Sequence, residues 1–121
     1  MDLFIINVKN HGELEKEYIA FGADKVLNLW DYLLADSTYL GDGTISNKHR
    51  HVFDFDGLHA ITLNKGDIVI LYTKKGKNRV DNLTDGSKAY SIYWGLSETI
   101  WNKDGDEAIL IKVAERNKKS V

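Results

Sequence analysis

Short apolar runs, each closed by a turn-forming cluster, follow one another along this chain, and that rhythm constrains the fold more than any other feature. The clearest run is Ile68 to Thr73, β-branched and bounded by glycine on both sides. It follows Asn64-Lys65-Gly66-Asp67, a tight-turn signal. Leu3 to Val8 reads as a strand ended by Asn10-His11-Gly12. Glu17 to Phe21 is a second strand, with Gly22-Ala23-Asp24-Lys25 as its turn. His51 to Phe55 alternates, placing His51, Phe53 and Phe55 on one face and Val52 and Asp54 on the other. Asp56-Gly57 closes it, and Leu58 to Leu63 leads into the next turn. Tyr90 to Trp94 and Thr99 to Trp101 are predicted as short aromatic strands, and Glu107 to Val113 as the last strand. Two polar loops interrupt the pattern, from Leu40 to Lys48 and from Lys74 to Lys88, the second being the most flexible internal stretch expected. The sum is about eight or nine short strands, the signature of an all-β sandwich or barrel.

One segment resists this reading. Val26 to Ala35 is strongly apolar and long enough for a helix. Its alternation is equivocal, because Leu27, Leu29 and Leu33 oppose Trp30, Tyr32 and Leu34. If it is a strand, one of those faces looks outward unless both are covered. An outward Trp30 beside Leu34 would form an exposed apolar patch, and hence a docking or dimer surface.

The 121 residues fit one domain spanning positions 1–121, with a core from 3 to 113 and a flexible basic tail from 114 to 121. Hydrophobic residues make up 43% of the chain, enough to fill a single core without staples. There is no cysteine, which excludes disulfides, thiolate chemistry and Cys-based zinc sites, and leans toward a reducing compartment. The start, Met1-Asp2-Leu3-Phe4, puts an acid before a brief apolar run and so lacks the basic start of a secretory signal. A cytoplasmic location and no membrane partner are therefore expected. The net charge of −2 carries no basic footprint of a dedicated nucleic-acid binder.

Toward its end the chain reads Tyr93-Trp94-Gly95, then Ile100-Trp101-Asn102-Lys103-Asp104-Gly105-Asp106-Glu107-Ala108-Ile109-Leu110. This is the most specific part of a stretch, Glu17 to Val113, that resembles the lamin tail domain, whose pattern there is Tyr-Trp-Gly followed by Val-Trp-Asn-Asn-x-Gly-Asp-x-Ala-x-Leu. Glu17-Tyr18-Ile19, Leu29 through Asp36, His51 through Phe55 and Leu63-Asn64-Lys65-Gly66 follow the family's other segments in order. Asp31 and Tyr32 depart from it, standing where Gly-Trp is usual. The resemblance implies an immunoglobulin-like β-sandwich, reads Val26 to Ala35 as a strand, and implies an interaction module rather than an enzyme. Independently of the family, Asn-x-Asp-Gly-Asp suits a hairpin turn, and Trp94 and Trp101 can each bury a large area against a sheet.

Several constellations could carry chemistry. His49 and His51, two apart on a strand, could share a metal completed by Asp56 or His59; a structural His51 beside Phe53 and Phe55 is the competing reading. Asp42-Gly43-Thr44 and Asp104-Gly105-Asp106 lack the ligand spacing of an EF-hand. Asp54 and Asp56 share a face and could pair for acid–base work, but no nucleophile elbow, Walker loop or HExxH accompanies them. The leading expectation is a non-catalytic module needing no cofactor or metal, with a protein partner or self-association. Its contact residues are expected to be Trp30, Tyr32 and Leu34, and Lys74, Lys75, Lys77 and Arg79 in the polar loop. Two alternatives remain: a weak nucleic-acid binder using that loop with the tail cations, and a metal-dependent hydrolase centred on His49, His51 and Asp54.

Overall fold

The computed structural model describes residues 1–37, 51–58, 60–101 and 106–121. Among them the chain is all-β. The strands are β1 (Leu3–Lys9), β2 (Tyr18–Ala23), β3 (Leu27–Asn28), β4 (Tyr32–Ser37), β5 (Val52–Asp54), β6 (Thr62–Leu63), β7 (Ile68–Tyr72), β8 (Arg79–Asn82), β9 (Lys88–Tyr93) and β10 (Glu107–Lys112). They form a five-stranded sheet in the order β1-β2-β7-β9-β8, a three-stranded sheet β10-β4-β5, and a two-stranded ribbon β3-β6. All pairings are antiparallel except β7 with β9, which is parallel.

Alternation explains the core. On the five-stranded sheet Leu3, Ile19, Phe21, Val69, Leu71 and Ile92 are buried on one face. From the three-stranded sheet Tyr32 and Leu34 join the same cluster, with Phe53, Ala108 and Leu110 packed against it. Phe21 meets Phe55 edge-on at 5.8 Å, an arrangement worth about 0.5–1.5 kcal/mol beyond area burial.

The equivocal segment resolves by a change of parity. Val26 to Ala35 is not one strand: a 3-10 turn at Leu29–Asp31 separates β3 from β4. Leu29 donates its N–H to the Ile61 carbonyl beside the β3-β6 ribbon, after which the chain enters the other sheet. The turn shifts the alternation by one, so Leu27 before it, Leu29 at its start, and Tyr32 and Leu34 after it all face the core. Neither periodicity wins over ten residues because each holds for only half of them.

Three other expectations change. Gly22 and Ala23 belong to β2 rather than to a turn. The stretch Lys74 to Lys88 is not one loop, because Arg79–Asn82 forms edge strand β8 and hairpins with β9. The hairpin closes where Leu83 donates to the Ser87 carbonyl at 2.8 Å, with Gly86 at φ +88°. Thr99 to Trp101 is not a strand; Ile100 and Trp101 are buried, and the Ile100 N–H is held by Glu17.

Glu17 ties distant parts together. It is fully buried and accepts hydrogen bonds from the Gly12 N–H at 3.0 Å, the Ile100 N–H at 3.2 Å and the Thr73 hydroxyl. One side chain thereby joins the β1-β2 connection, the end of β7 and the segment entering Trp101. A buried carboxylate survives when its oxygens are satisfied this way.

Candidate binding surface

The patch expected around Trp30 does not form. Tyr32 is 1% exposed and Leu34 is 0% exposed, because the 3-10 turn directs both into the core. Trp30 alone is partly exposed, and its carbonyl accepts from Arg116 at 3.3 Å. Tyr32 and Leu34 are thus core residues, not contact residues.

Phe53 and Phe55 pack in or against the core, whereas the His51 side chain is 37% exposed. Its Nδ1 lies 2.9 Å from Asp36 Oδ2 and its backbone N–H donates to Asp36 Oδ1 at 2.9 Å, joining β5 to β4. Its ring also meets Trp94 edge-on at 6.4 Å. His49, His59, Asp42-Gly43-Thr44 and most of the Asn102 to Asp106 turn lie outside the described residues. Among the described residues no group of three His, Cys, Asp or Glu side chains could hold a metal ion.

The carboxylate pair is engaged by the tail. Arg116 bonds both oxygens of Asp54, at 2.6 and 2.9 Å, and Lys118 lies 3.3 Å from Asp56. The hydrogen bond from Arg116 holds the Asp54 carboxyl below the usual carboxylate range, and Asp54 in turn raises Arg116. A carboxylate held by a guanidinium is poorly placed to trade protons near neutrality.

The basic loop is partly self-neutralised as well. Lys74 Nζ sits 5.8 Å over the Tyr72 ring and 3.8 Å from Glu15. Arg79 pairs with Asp81 at 3.1 Å along β8. Lys75 and Lys77 are exposed.

A different surface stands out, the outward face of the five-stranded sheet. The register places Tyr18, Ala20 and Gly22 of β2, Ile68, Ile70 and Tyr72 of β7, and Ala89, Ser91 and Tyr93 of β9 on that face. None of these nine positions carries a charge. A sheet with one solvated face normally alternates apolar inward and polar outward. β7 instead reads Ile-Val-Ile-Leu-Tyr, the pattern of a strand covered on both faces. Phe4 extends the face onto β1: it is 45% exposed, and a β-carbon on its partner Gly22 would sit 2.7 Å from Phe4 Cζ. Ile6, at the irregularity in the β1-β2 register, is 48% exposed.

Three tyrosines form one row across this face. Tyr18 is opposite Tyr72, with ring centroids 5.6 Å apart, and Tyr72 stacks on Tyr93 at 4.9 Å and 14°. Gly76 lies against the ring of Tyr93 so closely that any β-carbon there would collide with it. Lys9 is the cross-strand neighbour of Tyr18 at the β1 end of the row. Sequence reasoning missed this surface, although the unbroken apolar run of β7 was its signal.

Comparisons with family models, curated proteins and solved structures found no match for this chain. Among the described residues no helix is long and apolar enough to cross a membrane.

Proposed function

We propose that this chain is a non-catalytic binding module of the lamin-tail type, an immunoglobulin-like sandwich that recruits a protein partner. The observation carrying this reading is the uncharged outward face of β2, β7 and β9, which leaves Ile68, Ile70 and three tyrosine rings half-buried where a solvated sheet would carry charged or strongly polar side chains. Two further observations support it. The Tyr93-Trp94-Gly95 and Ile100-Trp101 segments that carry the family resemblance place Trp101 in the core and Trp94 against Phe53 at 5.4 Å. The larger two sheets also share one apolar cluster, as two layers of a sandwich do.

The alternatives lose ground on charge. A nucleic-acid binder would rely on loop and tail cations, yet Lys74, Arg79, Arg116 and Lys118 each lie beside a carboxylate of the same chain, which leaves only Lys75 and Lys77 of the four named loop cations unpaired among the described residues. A hydrolase would need Asp54 and His51, which Arg116 and Asp36 respectively engage. The test is affinity capture from native lysate with the tagged chain, at low and high salt and with nuclease. A protein retained at high salt, and lost with Ile70→Lys, is the expected result. Nucleic acid retained only at low salt, or turnover of a phosphoester lost with chelator, would overturn the reading.

A further inference from the structure

The outward sheet face also carries information about what covers it. We propose that it seats a protein segment with aliphatic or aromatic side chains in the middle and Asp or Glu at its flanks. This rests on the binding-module reading above and names its surface and the partner's chemistry.

The apolar centre is Ile68, Ile70 and the tyrosine row, continued by Phe4. The small residues Ala20, Ala89 and Ser91 lie beside Ile70 and Ile68 and are themselves buried, so those two isoleucines stand above their neighbours. Charge gathers only at the margins. Lys9 stands at the β1 end of the tyrosine row, and Lys75 and Lys77 stand in the connection from β7 to β8. None of these three has an ion-pair partner among the described residues. Carboxylates flanking an apolar segment would meet unpaired ammonium groups at both margins.

Other occupants fit less well. Single-stranded nucleic acid stacks its bases on open ring faces. Here Tyr72 lies between Tyr18 and Tyr93, and Tyr93 between Tyr72 and Gly76, so those ring faces are already covered. A second copy would present this same face, whose outward carboxylate, Asp81, is already held by Arg79. Nor is the partner an added strand. The register irregularity at Ile6 disrupts the β1 edge, and alternating charge at Arg79 and Asp81 guards β8. The segment therefore lies across the face instead of extending the sheet.

A random-peptide display library selected on the immobilised full chain tests this directly. Selected peptides should combine Leu, Ile, Phe or Tyr with Asp or Glu. Affinity of a synthetic selected peptide should fall at least about tenfold with Ile70→Lys or Phe4→Ser, and stay unchanged with Trp30→Ala. Using both face variants, each checked for an unchanged circular dichroism spectrum, guards against one that fails to fold. Lys9→Glu with Lys75→Glu should weaken the same peptide, and replacing its acids by lysines should restore binding. Basic or uncharged selected sequences, or competition by oligothymidylate, would overturn the proposed chemistry. Selected peptides indifferent to both Ile70→Lys and Phe4→Ser would overturn the surface while leaving the module reading intact. If no peptide is selected and sedimentation velocity shows no self-association, both fall.

Discussion

Replacing Glu17 tests the claim that one buried side chain holds three segments in register. Its two oxygens accept from the Gly12 N–H, the Ile100 N–H and the Thr73 hydroxyl. In Glu17→Ala all three donors lose their acceptor. Gly12 is exposed, so its N–H can turn to water at little cost. Ile100 and Thr73 are buried, at 5% and 1% exposure, and each stranded donor costs about 1–3 kcal/mol. The expected loss is therefore about 4 kcal/mol, a large share of the 5–15 kcal/mol typical of a domain. Glu17→Gln should cost less. Its amide oxygen can keep Ile100 and Thr73 while the amide nitrogen faces Gly12, so one bond is lost, about 1–2 kcal/mol. Urea unfolding followed by tryptophan fluorescence gives both numbers. Thr73→Val should be strongly non-additive with Glu17→Ala, since both remove the same bond. The opposing term is desolvation, because no cation neutralises this carboxylate within the described ion pairs. If Glu17→Gln proves more stable than the parent, desolvation outweighs the three bonds and the reasoning is refuted.

Further expectations follow from the tyrosine row and the tail. Gly76→Ala drives a β-carbon into the Tyr93 ring and should cost about 1–3 kcal/mol with altered near-ultraviolet dichroism. Gly22→Ala displaces only the exposed Phe4 ring and should cost less; equal costs would count against the packing argument. Asp54 has a lowered folded-state value, so its pairing with Arg116 stabilises the tail above the ordinary carboxylate range. That contribution should fade as pH falls below the ordinary carboxylate range, through the depressed folded value. The protection factor of the Val113 amide, which donates to the Asp31 carbonyl just before the tail, should then fall on acidification in the parent, once exchange is corrected for its intrinsic pH dependence, and be low already at neutral pH in Asp54→Asn. An amide equally protected in both would show that the ion pair does not anchor the tail.

Much of the architecture was legible because burial dictates residue type. β1, β7 and β10 announce themselves by apolar runs between turns, and the core-facing Phe53 of β5 follows from alternation. β8 did not, because Arg-Val-Asp-Asn on an exposed edge is indistinguishable from loop by composition. The Leu29–Asp31 turn was hidden for another reason: a parity change leaves both alternations half satisfied, and only the sheet exchange reveals it. That hidden turn moved the expected contact residues Tyr32 and Leu34 into the core. Lys75 and Lys77 are exposed, in the connection beside the face that the run Ile68 to Tyr72 marks.

The parallel seam between β7 and β9 bears on the order of assembly. Since β8 lies outside β9, the chain leaves β7, skips one strand position, and returns. The β8-β9 hairpin is local, closed by residues 83–87, whereas the seam cannot be made until β9 exists. Hairpin closure should therefore precede docking onto β7, with the Asn78 side chain fixing the hairpin register through the Tyr93 N–H at 2.9 Å. Gly86→Val, which strains the positive φ of the closing loop, should slow folding more than it speeds unfolding in stopped-flow kinetics. The reverse partition would place the hairpin among the last parts to form.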